Sequence, residues 1–266
     1  MKLKNGLIDN QRNWEKLYKM KLKKGSLLKE YEIYKERYTE DTINQIFKVW
    51  RPKKTDVYLE IGCGPCFLGL ELTKRTGVKV IGIDFSPTTL KVARYLFRKE
   101  EIKNAQFVLG DITQMPLPDN SIDFIFGGGV IEHFENVEKV IDEIYRVLKK
   151  GGISYNTVPL LNFASLTYRQ LWGNIPYLPF IKHMFEFIHI RFLGGKHLRF
   201  GYELSFLPST LYKMHFHSGF RKVKVGKFKV NLVFEYLPFS MLRKIATYIS
   251  NHSLLFWPVI YVSAKK

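Results

Sequence analysis

Val57-Tyr58-Leu59-Glu60-Ile61-Gly62-Cys63-Gly64-Pro65 is the stretch that decides how this 266-residue chain folds. A short apolar run passes straight into glycines, the pattern of a buried parallel strand. Glycine is needed there because a Cβ would block a sharp turn into a helix or the close approach of a ligand. Phe67–Thr76 follows with a helical pattern that Gly77 can end.

The same rhythm continues outward. A second strand is predicted at Lys79–Ile83, stopped by Asp84. Ser86 caps a helix that starts at Pro87 and runs to about Glu100. Gln106–Leu109 reads as a third strand ending in Gly110-Asp111, and Ile122–Phe126 as a fourth ending in three glycines. Glu135–Lys150 is an amphipathic helix closed by Gly151-Gly152, and Ile153–Val158 is a fifth strand. Strands and helices alternating at this spacing argue for a doubly wound parallel α/β sheet. Further on, Pro208–Ser218 reads as a helix ended by Gly219. Arg221–Phe228 and Val259–Ala264 read as two more strands.

Four regions follow. Residues 1–54 form an N-terminal helical cap; in Glu30–Trp50 the apolar positions Ile33, Tyr34, Tyr38, Ile43, Ile46, Phe47 and Trp50 keep a period near 3.6. Residues 55–157 form the ligand-binding core. Residues 158–207 are an insertion dense in aromatics, from Phe163 through Phe200 to Phe206. Residues 208–266 complete the sheet around an apolar insertion at 231–257.

Net charge is +18, and its distribution follows these regions: +8 in 1–54, −2 in 55–157, +3 in 158–207 and +9 in 208–266. The basic flanks speak about partners, and the neutral block about chemistry. Two cysteines are too few for a disulfide framework and favour a reducing compartment. No apolar run approaches the roughly 18–20 residues of a spanning helix. The opening MKLKNGLIDNQRNW lacks the apolar stretch of a secretory signal. The expectation is a cytoplasmic globular protein. Helix 238–250 and Leu254–Val262, apolar beside Lys and Arg, leave a peripheral contact with an anionic membrane open.

Three acids close three successive strands: Glu60, Asp84 and Asp111. In open α/β sheets ligands bind outside these carboxyl ends, and an acid at the end of the second strand can hold both hydroxyls of a ribose. With Asp119–Phe134 (DNSIDFIFGGGVIEHF) added, the sequence resembles the class I S-adenosylmethionine-dependent methyltransferases, in particular their type 11, small-molecule branch. The resemblance covers about 55–157. It implies a Rossmann-like, doubly wound, seven-stranded, mostly parallel sheet with an antiparallel last strand and helical insertions. It also implies S-adenosyl-L-methionine as cofactor. Glu60, Gly62 and Gly64 would lie against its methionine end, and Gly127 and Gly128 would border that moiety. Asp84 would bind the ribose diol with Phe85 beside the adenine. Asp111 would meet the adenine amino group, with Ile112 packed on the ring. The third glycine of the family's first motif is Cys66 here.

Phe67 stands three residues after Gly64, where a dinucleotide fold needs a small residue, and the carboxylate at Glu60 suits a cationic ligand better than a pyrophosphate. Cys63-Gly64-Pro65-Cys66 matches the thioredoxin tetrapeptide but sits inside a different motif. No metal site is expected. Glu132-His133 reads as a pair shaping the cofactor pocket, with His133 the weak candidate for a catalytic base. Tyr202, His215 and His217 read as packing. Insertions 160–207 and 231–257, with the N-terminal helices, are expected to form a lid and a pocket for an apolar or aromatic acceptor, lipid-like or anionic. An RNA substrate and a non-catalytic cofactor-binding protein are the alternatives.

Overall fold

The computed structural model describes residues 10–23, 25–34, 38–195, 197–198, 201–228 and 239–266. Phe200 and residues 231–238, part of the predicted second insertion, lie outside the described residues, as does Pro238 of the predicted helix 238–250.

The core alternates as the sequence requires: β1 (Val57–Ile61), α4 (Phe67–Thr76), β2 (Lys79–Asp84), α5 (Pro87–Lys99), β3 (Ala105–Leu109), β4 (Ile122–Gly128), α6 (Val137–Val147) and β5 (Leu148–Pro159). Before it lie α1 (Asn10–Lys23), α2 (Ser26–Tyr34) and α3 (Glu40–Phe47). After it come α9 (Pro208–His217), β8 (Arg221–Lys227), α10 (Ser240–His252) and β9 (Val259–Lys265). The insertion between β5 and α9 holds α7 (Phe163–Leu166), β6 (Asn174–Pro176), α8 (Ile181–Glu186) and β7 (Glu203–Ser205).

One seven-stranded sheet has the order β3-β2-β1-β4-β5-β9-β8. The first five of these strands are mutually parallel, and β9 runs antiparallel to both β5 and β8. The order reverses at β1 and β4, so their carboxyl ends flank a crevice.

Period-two alternation sorts the strand residues onto two cores. Leu59, Ile61 and Ile125 pack with α6 and α9 on one face. Tyr58, Phe124 and Phe126 pack with α3, α4 and α5 on the other. Trp50 stacks on Phe124 with ring centroids 4.5 Å apart, fastening the N-terminal cap to the sheet. The cap of α5 is as read: the Thr89 amide donates to Ser86 Oγ at 3.2 Å, with Pro87 in the first turn. Gly77, at φ +72°, ends α4 in the left-handed region.

Two boundaries differ from the sequence reading. The helix expected over Glu135–Lys150 stops at Val147, because Leu148 turns to an extended ψ of 138° and joins β5. Leu148 is fully buried and pairs with Ile122, while Lys149 forms an ion pair with Asp123 at 2.7 Å. Tertiary pairing therefore overrides helical propensity there. The single periodic stretch Glu30–Trp50 is divided between α2 and α3. The Thr39 hydroxyl, fully buried at that division, donates to the Tyr34 carbonyl at 3.2 Å.

The aromatic insertion contains its own small sheet, β6 parallel to β7, joined to β5 where Leu160 bridges Phe206.

Candidate cofactor site

The turn after β1 is wound by three residues with positive φ: Gly62 (+54°), Gly64 (+51°) and Cys66 (+57°). A Cβ on Gly62 would lie 2.7 Å from Val130 Cγ2, so both conformation and space demand glycine. Asp84, at the end of β2, holds this turn. Its Oδ2 accepts the Gly64 amide at 2.8 Å and its Oδ1 accepts the Ser86 amide at 2.8 Å. Burial pushes the Asp84 carboxyl above its ordinary range, against the pull of those two backbone hydrogen bonds.

A cavity of about 500 Å³ opens across the tips of β1, β2, β3 and β4. Its walls are Gly62 after β1, Asp84 and Phe85 at the end of β2, and Leu109, Gly110, Asp111 and Ile112 at the end of β3. Gly128, Gly129, Val130, His133 and Phe134 close the β4 side. Asp111 is exposed at the rim and accepts the Thr113 amide at 2.8 Å, while Ile112 is buried. Of the residues read from sequence, Gly62, Asp84, Phe85, Asp111, Ile112, Gly128 and His133 thus come together on one cavity.

Glu60, Gly64 and Gly127 are not on that wall. Gly127 is buried within β4, opposite Asn156 of β5. Glu60 lies behind the turn: its Oε2 accepts the Gly69 amide at 2.8 Å, the Tyr58 hydroxyl at 3.1 Å and the Cys66 thiol at 3.6 Å. It braces the first turn of α4 against β1. Two of the three acids thus line the cavity, with the third beneath them.

Burial raises the Glu60 carboxyl to about 7. Since this lies above the unfolded value of 4.5, the folded chain holds a proton that the unfolded chain releases as pH rises from about 4.5 to 7. Stability relative to Glu60→Gln should fall over that interval, by up to about 3 kcal/mol, and then stay level. Urea unfolding of both proteins at pH 5 and pH 8 checks this. A difference that does not change with pH contradicts it.

Both cysteines are free and buried. Burial raises the Cys63 thiol to about 11 and holds the Cys66 thiol well above its ordinary range, which disfavours the thiolate that a redox pair requires. Cys66 fills space against Glu60 where the family motif has glycine.

The roof is a feature that the sequence reading placed only loosely. Trp14 and Tyr18, one helical turn apart on α1, line the cavity and stack at 5.9 Å. Glu15 pins α1 to the start of α5, accepting the hydroxyls of Ser86 and Thr88 at 2.5 Å each. An aromatic pair at i, i+4 in a lysine-rich helix was the available signal.

His133 lies edge-on to Trp14 at 5.8 Å. Its Nδ1 is 2.6 Å from the Tyr202 carbonyl, which can only accept, so Nδ1 carries the proton and Nε2 is the basic nitrogen of the neutral ring. Glu132 is buried, and burial raises its carboxyl well above the ordinary range. Among the described residues, no side chain of 158–207 or 239–257 lines the cavity. The first insertion reaches it through the Tyr202 carbonyl behind His133, and the described roof is α1. Tyr202 and His215 are packed residues: the Tyr202 hydroxyl donates to Glu186 at 2.6 Å, and His215 is fully buried against Phe220.

A parallel sheet reversed at β1 and β4, with a carboxylate at the second strand tip beneath an apolar-walled cavity, defines the class of α/β proteins that hold a nucleoside at the switch point. Within that class, residues 59–155 match the family model described as a methyltransferase domain. A stretch of 111 residues is 33% identical to sterol 24-C-methyltransferase of Pneumocystis carinii, covering 41% of this chain and 29% of that protein. A stretch of 110 residues is 31% identical to demethylmenaquinone methyltransferase of Listeria welshimeri, covering 41% of this chain and 47% of that one. These matches span less than half the length of either relative. The fold is shared with Haemonchus contortus phosphoethanolamine N-methyltransferase 2, solved with phosphomonomethylethanolamine and S-adenosylhomocysteine. That likeness has a TM-score of 0.60 at 20% identity, over 86% of this chain and 53% of that one.

Proposed function

We propose that the chain transfers a methyl group from S-adenosylmethionine to a small, apolar or aromatic acceptor. The supporting observation is the cavity spanning four strand tips, with the buried Asp84 between apolar walls at Phe85 and Ile112. Its buried carboxylate and exposed rim acid suit a nucleoside with a diol on one side and an exocyclic amine on the other. In this reading Asp84 receives the ribose diol, Phe85 and Ile112 sandwich the adenine, and Asp111 meets its amino group. Gly62 and Gly128 give the methionine end close access to backbone. Glu60, Gly64 and Gly127 act one layer behind, holding the turn and strand in shape.

The donor supplies a methyl group on a sulfonium that is already a good leaving group. The chain's part is to align the acceptor and exclude water. Trp14 and Tyr18 cover the cavity, and Val130 and Phe134 give it apolar walls. His133 shapes the site with its basic Nε2; an acceptor that must lose a proton early would find that base nearby. The names of the relatives, a sterol and a menaquinone enzyme, support an apolar, lipid-like acceptor.

Incubation with methyl-tritiated S-adenosylmethionine and a total lipid extract is expected to place label in the organic phase. Label in added RNA instead, or none anywhere while the donor binds, contradicts the proposal. Trp14→Ala is expected to weaken S-adenosylhomocysteine binding about tenfold through loss of the aromatic roof, read by calorimetry. Unchanged affinity would remove α1 from the site.

A further inference from the structure

Helix α10 is packed with its apolar side outward. Residues in contact with the body are small or polar: Ala246 and Thr247 are half-buried and Ser250 is buried. The opposite face carries Met241, Ile245, Tyr248 and Ile249, spaced i, i+4, i+7 and i+8, all exposed, Met241 at 72% and Tyr248 at 64%. A helix serving only the core would be turned the other way.

The exposed face does not end with the helix. Leu254 and Leu255 follow it, exposed at 65% and 59%. They meet the first insertion directly. The Asn162 side chain donates to the Leu254 and Trp257 carbonyls at 3.1 and 2.8 Å, and the Ala164 amide donates to the Leu255 carbonyl at 3.1 Å. Phe163 and Leu166, exposed at 52% and 47%, extend the surface on that side. These hydrogen bonds set the exposed Leu254-Leu255 pair beside Phe163–Leu166, so exposed apolar side chains of the two insertions project from neighbouring segments.

Charge selects the partner. No Asp or Glu occurs between Phe239 and Lys266, while the exposed Lys244 sits on α10 itself within a chain of net charge +18. Apolar side chains projecting outward beside Lys244, with no acid in the same segment to repel headgroups, match the chemistry of an anionic lipid surface. The position is also informative. Pro159 at the end of β5 pairs with Val259 at the start of β9, so the insertions leave the sheet at the carboxyl edge of the parallel strands, the edge that holds the cavity.

We propose that α10 and the adjoining Leu254-Leu255 and Phe163–Leu166 segments dock the protein onto an anionic membrane, with the cavity edge toward the lipid. Docking needs no methyl donor, so its test stands apart from that of the transfer reaction. The full chain is sedimented with vesicles of phosphatidylcholine alone and of phosphatidylcholine mixed with phosphatidylglycerol. The wild type is expected to partition onto the mixed vesicles and far less onto the neutral ones. The double variant Ile245→Glu/Ile249→Glu is expected to lower partitioning at least tenfold, and Lys244→Gln about fivefold, the factor for one basic residue at an anionic surface. Melting temperature and S-adenosylhomocysteine affinity should not change, since these side chains are solvent-facing. Three results overturn the proposal: no partitioning onto mixed vesicles, equal partitioning of the double variant, or a wild-type dimer in sedimentation velocity that the double variant makes monomeric. The last assigns the face to a second copy of the chain.

Discussion

Asp84→Ala is expected to lower the affinity for S-adenosylhomocysteine by about 2–4 kcal/mol, roughly 30- to 1,000-fold. Two losses combine. The charged acceptor facing the ribose is withdrawn, and the amides of Gly64 and Ser86, each held at 2.8 Å, lose their partner. The turn after β1 and the start of α5 are then no longer tied together. Asp84→Asn separates these contributions, because an amide oxygen can still accept one of the two backbone donors. It should retain more stability than the alanine variant while still losing much of the affinity. Calorimetry for binding and urea unfolding for stability check both. Unaltered affinity in Asp84→Ala would falsify the ribose assignment.

Gly62→Ala should be as damaging, by a different route. At φ +54° an alanine costs about 1–2 kcal/mol over glycine, and its Cβ would sit 2.7 and 2.8 Å from the two methyl groups of Val130. Relieving that overlap adds about 1–3 kcal/mol or displaces Val130 into the cavity it lines. The expected outcome is a total loss of about 2–5 kcal/mol in stability together with weakened cofactor binding. Adding Val130→Ala to Gly62→Ala should recover the overlap part and leave the backbone part. If the second substitution recovers nothing, the overlap is not what the glycine avoids.

Most of the sheet was legible because its signals are local. A buried strand, a glycine turn and a capped helix each declare themselves within about ten residues, as Val57–Pro65 and Ser86-Pro87 do. The acids at strand tips were legible in position but not in depth. Glu60 and Asp84 both end parallel strands in sequence. Only the packing of α4 shows that Glu60 points behind the turn, to the Gly69 amide, while Asp84 reaches the cavity. The end of α6 is not legible in the sequence because Leu148 and Lys149 are recruited by partners elsewhere in the chain, Ile122 and Asp123. The roof was half legible: helical caps were expected over the site, but Trp14 and Tyr18 are ordinary aromatics until α1 is laid across α5 by Glu15. The insertions were legible as aromatic-rich and not as to direction. Which side of α10 faces water depends on tertiary contacts, and here they select the small residues.

The most direct test of the central claim is the crystal structure of the protein with S-adenosylhomocysteine. The account expects the ribose hydroxyls within hydrogen-bond distance of Asp84, the adenine between Phe85 and Ile112 near Asp111, and α1 closed over them through Trp14 and Tyr18. A nucleoside bound away from the tips of β2 and β3, or electron density for a dinucleotide there instead, would contradict it.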